Sequence, residues 1–198
     1  MPAARRIGID FDNTIVCYDG VFRAVAIAEG LVPADVPAHK TGLRDWLRAA
    51  GREDDWTELQ GLVYGRRMDA ARPFAGVMDF FQTCAERAIP VAIVSHRTRQ
   101  PYRGPAWDLH AAARQWLADQ RVPLADEAIF FETTKEDKLA RIGALGLSHF
   151  IDDLPELLAE PAFPAEVEPI LFDPHRLHAG HAGRRLASWA DAASLLPP

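Results

Sequence analysis

Ile89-Pro90-Val91-Ala92-Ile93-Val94-Ser95 is a near-continuous apolar run that directly follows the amphipathic stretch from Phe74 to Ala88. It is too short for a helix, rich in β-branched residues and apolar on both faces, which predicts a strand buried inside a parallel sheet. The same helix-then-strand unit recurs toward the C-terminus. Helix 107–120 precedes strand 127–131, helix 135–145 precedes strand 148–151, and helix 154–160 precedes strand 168–172. Toward the N-terminus, Ile7, Ile9 and Phe11 around Gly8 form one more short apolar run, read as the first strand. Strands separated by helices predict an α/β fold, a doubly wound (Rossmann-like) parallel five-stranded sheet.

The stretch 16–72 breaks this rhythm. It holds no convincing strand, and helical patterns near 21–29, 41–50 and 54–68 are set apart by Pro33, Pro37 and Gly51. The expected organisation is a core made of 1–15 and 73–198, interrupted by a small helical insertion, 16–72. The tail from Asp173 to Gly183, rich in His, Gly and Pro, reads as irregular, with a closing helix from Leu186 to Leu196. No internal repeat or low-complexity segment is present.

A chain of 198 residues, 48% hydrophobic and 25% charged, can bury one α/β core and a small lobe. The apolar stretch after Arg5 and Arg6 is broken by Asp10 and Asp12, so neither a signal peptide nor a membrane span is expected there. Cys17 and Cys84 form no metal-ligand or disulfide pattern, which fits a reducing, cytoplasmic setting. A net charge of -6 speaks against nucleic acid as a partner and leaves a small molecule as the simpler expectation.

Acidic residues end two of the strands: Asp10 and Asp12 after the first, Asp152 and Asp153 after the fourth. Open α/β sheets bind ligands at these strand ends. Four carboxylates converging there call for a cation, and Mg²⁺, a hard ion that takes oxygen ligands, is the natural one. With Asp at 17 of 198 positions, chance alone supplies about 1.5 Asp-x-Asp pairs, so the pair informs only through its place. The ordered set is far rarer: Asp10-Phe11-Asp12-Asn13-Thr14, then Ser95 in Ile-Val-Ser-His, then Lys138 in Lys-Glu-Asp-Lys-Leu-Ala-Arg-Ile, then Asp152-Asp153 in Phe-Ile-Asp-Asp-Leu-Pro-Glu-Leu.

In that order the four motifs resemble those of the haloacid dehalogenase (HAD) superfamily, over residues 5 to 172 apart from the insertion. The resemblance implies a phosphatase-type hydrolase with Mg²⁺ as cofactor and a small phosphate ester as substrate. Asp10 would be the nucleophile that forms an aspartyl-phosphate, and Asp12 the acid and base for the leaving group and the water. Ser95 and Lys138 would hold the phosphoryl oxygens. Asp10, Asp12 through its backbone carbonyl, Asp152 and Asp153 would form the metal site. Thr14, Ser95, His96 and Arg97 are the expected substrate-binding residues. Family members with an insertion after the first motif use it as a lid, a C1 cap, so 16–72 is expected to read the leaving group. Arg44, Trp46, Arg52, Trp56, Tyr64, Arg66 and Arg67 lie there, although residues of these types more often serve surface or packing roles.

Several alternatives stay open. Lys135 lies one helical turn before Lys138, and either can point inward. Which of Asp152 and Asp153 touches the metal is undecided, and so is the oligomeric state. A phosphomutase or phosphotransferase shares the chemistry up to the phospho-enzyme, and a non-catalytic phospho-ligand-binding protein is the alternative of a different class. His175, His178 and His181 are spaced three apart, but Gly180 and Gly183 favour a solvated loop over a metal cluster.

Overall fold

The structure, a computed structural model, describes residues 5–37 and 39–196. Residues 1–4, 38, 197 and 198, which fall within the expected core and insertion, lie outside the described set. The chain divides into two compact units. One consists of the chain up to Val16, Pro73–Arg97 and everything from Val122 on; the other consists of Cys17–Arg72 and Thr98–Arg121.

The larger unit is built on strands β1 (Ile7–Ile9), β4 (Val91–His96), β5 (Ile129–Glu132), β6 (His149–Asp152), β7 (Glu168–Phe172) and β8 (Arg184–Leu186). Short strands β2 (Val16–Cys17) and β3 (Arg72–Pro73) pair with each other where the chain leaves and re-enters this unit. The six-stranded sheet runs in the order β5-β4-β1-β6-β7-β8, with every pairing parallel. Parallel strands need crossovers, and α4 (Val77–Glu86), α6 (Lys135–Ala144) and α7 (Pro155–Leu158) lie on those that lead into β4, β6 and β7.

Alternation along the strands divides the core between the two faces. Val94, Phe150 and Leu171 point to one face, where Leu139 and Ile142 of α6 and Leu157 and Leu158 of α7 cover them. Phe172, the next residue after Leu171, points to the other. There its ring lies 5.4 Å from Trp189, which in turn lies 5.1 Å from Phe80 of α4. Each large apolar side chain buried in this way contributes roughly 1.5–3 kcal/mol. Gly8 has no side chain to add: a Cβ there would sit 2.4 Å from Leu147 and 2.6 Å from Phe150.

The sheet has one strand more than the five expected. β8 is three residues long and two of them are Arg, so it carries no apolar run to betray it. Its Arg184, Arg185 and Leu186 pair with Ile170, Leu171 and Phe172 at the sheet edge. The closing helix expected over Leu186–Leu196 is instead this strand followed by a short 3₁₀ turn, Asp191–Leu195. Asp191, the first residue of that turn, accepts the amides of Ala187 (3.0 Å) and Ser188 (2.9 Å) and so ties the turn back to the end of β8.

The smaller unit is helical: α1 (Val21–Ala28), α2 (Lys40–Ala49), α3 (Glu53–Tyr64) and α5 (Leu109–Asp119). Tyr18, Phe22, Trp56 and Tyr64 pack ring against ring at its centre, with Phe22 and Trp56 5.3 Å apart. Residues 98–121, which the sequence reading gave to the core, belong here by contact. The physical cause is the seat that α3 offers the loop before α5. Gly61 leaves space that Pro101 fills, and Arg103 pairs with Asp54 (3.1 Å) and Glu58 (3.0 Å). Trp116 of α5 then donates its indole N–H to the carbonyl of Ala71 at 3.2 Å. No helix among the described residues is long and apolar enough to cross a membrane.

Candidate active site

Strand order places β1 at the centre of the sheet, between β4 and β6. Chain connectivity reverses direction there, and such a switch point opens a crevice beyond the carboxyl ends of the strands. Register then sets the chemistry level. Ile9 pairs with Ile93 on one side and Ile151 on the other, so Asp10, Ser95 and Asp152 all lie one or two residues beyond the same rung. The amide of Asp10 still donates to the carbonyl of Ile151 at 2.8 Å, which fixes its backbone.

Asp10 and Asp12 share one side of the extended chain, and Phe11 between them turns to the other, edge-on to Phe131 with centroids 5.4 Å apart. The carbonyl of Phe11 accepts the amides of Ile15 and Val16, closing a turn in which Asn13 adopts φ 56°. Asparagine tolerates that left-handed conformation better than other non-glycine residues, which accounts for its place after the second aspartate. Thr14 is fully buried; its carbonyl accepts the indole N–H of Trp189 at 3.0 Å, and its hydroxyl has no hydrogen-bond partner among the described residues.

Lys138 rises from α6, whose start is capped by Thr134 accepting the amide of Asp137 at 3.0 Å. Its side chain is only 2% exposed, and Nζ donates to Asp10 Oδ1 and to Asp152 Oδ2, each at 2.6 Å. Burial by itself would favour the neutral amine, but the two carboxylates outweigh it and hold the lysine above its ordinary value. Lys135 is half-buried and pairs with Glu160. Of the two lysines left open by sequence, Lys138 is the one that contacts Asp10.

Asp152, completely buried, uses both oxygens: Oδ2 takes Lys138, and Oδ1 accepts the amide of Leu154 at 2.9 Å. Carboxylate oxygens of Asp10, Asp152 and the half-buried Asp153 come within 4.8 Å of one another. Asp10 and Asp152 share the buried ammonium of Lys138, with Asp153 beside them, and burial pushes the Asp10 carboxyl up to about 7 against the pull of Lys138, with Asp152 adding to the rise. The donor set is all oxygen, and a hard divalent cation fits it.

Ser95 is buried near the end of β4. The next two residues part ways. His96 is exposed, and its Nε2 lies 3.1 Å from the carbonyl of Thr133. Arg97 turns inward, and its Nη1 donates to both carboxylate oxygens of Asp12 at 2.7 Å. The sequence separation of 85 residues hides that pair from any local pattern.

One further acid escaped the sequence reading. Asp173 directly follows β7, and its buried carboxylate accepts the amides of Leu177 (2.8 Å) and His178 (3.0 Å) and the guanidinium of Arg185 (3.1 Å). The signal was available, since Glu-Pro-Ile-Leu-Phe also ends in Asp. The His-rich stretch after it forms no metal cluster among the described residues.

No protein-family model matches the sequence, and no curated protein does. Solved structures do. A HAD-superfamily hydrolase from Ehrlichia chaffeensis superposes with a TM-score of 0.59 at 15% identity, covering 98% of this chain and 97% of its own. A predicted phosphoglycolate phosphatase from Haemophilus somnus gives 0.62 at 15% identity over 98% and 99%. The fold is that of the HAD hydrolases. A HAD family hydrolase from Deinococcus radiodurans, solved with bound phosphate and sodium, gives 0.61 at 15% identity over 97% and 95%. At such identity the likeness establishes the HAD architecture, and the chemistry has to come from the residues.

Proposed function

We propose that this protein is a Mg²⁺-dependent phosphomonoester hydrolase that works through an aspartyl-phosphate on Asp10. The observation that carries the reading is the buried cluster at the end of β1, where Asp10 and Asp152 share the ammonium of Lys138 beside Asp153. A carboxylate held in place by a fixed ammonium is oriented for attack, and the same positive charge offsets the oxygens of an incoming phosphoryl group. The bound phosphate of the Deinococcus radiodurans hydrolase supports a phosphate ester as the ligand class for this fold.

In the first half-reaction an oxygen of Asp10 bonds to phosphorus, the bond from phosphorus to the leaving oxygen breaks, and that oxygen takes a proton from Asp12. In the second, water bonds to phosphorus and gives its proton to Asp12, and the bond from phosphorus to Asp10 breaks to release inorganic phosphate. Ser95 and Thr14 supply hydroxyls toward the phosphoryl oxygens; the unpartnered Thr14 hydroxyl is consistent with a ligand-facing role. Mg²⁺ would be held by Asp10, Asp153 and the Asp12 carbonyl, and would offset the charge of the phosphoryl group and the carboxylates. Asp152 anchors Lys138 and belongs to the same carboxylate group, so it would join Asp153 at the ion, one of them directly and the other through water. The insertion 16–72 would serve as the lid that reads the leaving group of a small phosphorylated metabolite.

The test is phosphate release from a panel of phosphomonoesters by the purified protein with Mg²⁺. Asp10→Asn protein serves as the blank, and EDTA treatment followed by readdition of Mg²⁺ serves as the metal control. Turnover that vanishes in Asp10→Asn and with EDTA, and returns with Mg²⁺, is expected. Release of phosphate by Asp10→Asn at the wild-type rate would remove Asp10 as nucleophile.

A further inference from the structure

Arg97 is an unusual residue to find beside Asp12. Its side chain is 3% exposed, and it is fixed at three points. Its amide donates to the carbonyl of Glu132 at 2.8 Å, its guanidinium lies 5.6 Å from the centre of the Phe11 ring, and Nη1 donates to both Asp12 oxygens at 2.7 Å. Asp12 is held just as firmly from its own side, by the turn through Asn13 and a bridge to Val16. Pulling the pair apart would take a buried guanidinium from this carboxylate, which is costly. An arginine so committed is poorly suited to bind the substrate, the use that its place beside Ser95 first suggests.

What the contact does well is fix a direction. A charge-assisted contact from one nitrogen shared by both oxygens of a carboxylate aims that carboxylate at the nitrogen and is strongest when it is an anion. The anion is the form that accepts a proton from water. Resting on the hydrolase reading above, we propose that Arg97 is a positioning residue that holds the Asp12 carboxylate in place for the second half-reaction, the hydrolysis of the aspartyl-phosphate, without touching the substrate itself. In that step water forms its bond to phosphorus, its proton passes to the Asp12 carboxylate, and Asp10 departs as carboxylate with the electrons of the broken bond. In the next cycle that proton leaves with the alcohol, which restores the Asp12 carboxylate.

Kinetics separate this role from the others. In a two-step covalent mechanism, slowing the second step alone lowers kcat and KM together and leaves kcat/KM unchanged. Arg97→Gln and Arg97→Lys are to be assayed on the best ester from the panel, with phospho-enzyme measured after acid quench at saturating substrate. In Arg97→Gln, kcat should fall roughly 10- to 100-fold with a parallel fall in KM, and phospho-enzyme should accumulate. Arg97→Lys, which keeps the charge, should recover part of the loss. Arg97→Gln should add nothing in an Asp12→Asn background, because it acts through that carboxylate.

A rise in KM at unchanged kcat would make Arg97 a substrate-binding residue and overturn the proposal. So would equal losses in kcat and kcat/KM without phospho-enzyme, or additive losses with Asp12→Asn. If Arg97→Gln does not fold, the Lys variant reads the same quantities. Failure of the hydrolase reading shows first and separately, as absence of turnover by the wild type, and it takes this inference with it.

Discussion

Lys138 lies buried between two carboxylates, and that placement sets both its charge and its cost. Replacing it with Met would leave Asp10 and Asp152 facing each other with no ammonium between them. Breaking a buried ion pair from one side costs about 3–5 kcal/mol. Lys138→Met should therefore lower unfolding free energy by that order in denaturant titration, and a variant as stable as the wild type would mean the pair is not formed. Asp173 makes a prediction about acid. Burial alone would raise its carboxyl, but the amides of His178 and Leu177 and the guanidinium of Arg185 outweigh that and hold it below the usual carboxylate range. A carboxylate depressed in the folded state stabilises above its unfolded value, about 3.9, and the contribution is lost as pH falls through the folded value. Asp173→Asn should cost about 1–3 kcal/mol at neutral pH and should flatten the loss of stability at acid pH. Thermal melts of both proteins from pH 7 downward check this, and parallel curves would contradict it.

At the scale of elements, the sheet depends on close approach around β1. Gly8→Ala places a Cβ within 2.6 Å of Leu147 and Phe150, and overpacking of this kind costs about 1–3 kcal/mol. The variant should melt several degrees below the wild type; an unchanged melting temperature would mean that this layer can yield. Gly8 also marks how far sequence reaches. Runs such as Ile89–Ser95 are apolar on both faces and long enough to declare themselves, so the helix-strand alternation of the core was legible, as were the acids ending its strands. β8 was not, because two arginines in three residues give no period. The phase of α6 decided between the lysines: Lys138 shares a buried face with Leu139 and Ile142, whereas Lys135 reaches out to Glu160. Residues 98–121 read as part of the core because their helix has an ordinary amphipathic pattern. The seat of Pro101 on Gly61 is a tertiary fact that no local pattern carries.

Over the whole molecule, chemistry and likeness rest on different foundations. The fold is shared with proteins only 15% identical, so the sheet and its crossovers persist while nearly every side chain changes. Motif residues scattered from 10 to 153 are brought level by parallel register, and that convergence gives the order of the motifs its meaning. The pair between Arg97 and Asp12 depends on the same register, since β1 and β4 run side by side. The most direct test of the central claim is to quench the working enzyme in acid at saturating substrate and look for the phosphoryl group by peptide mass spectrometry. An increment of one phosphoryl group is expected on the peptide carrying Asp10, absent from Asp10→Asn. Turnover with an unmodified Asp10, or with the phosphoryl group on another residue, would contradict it.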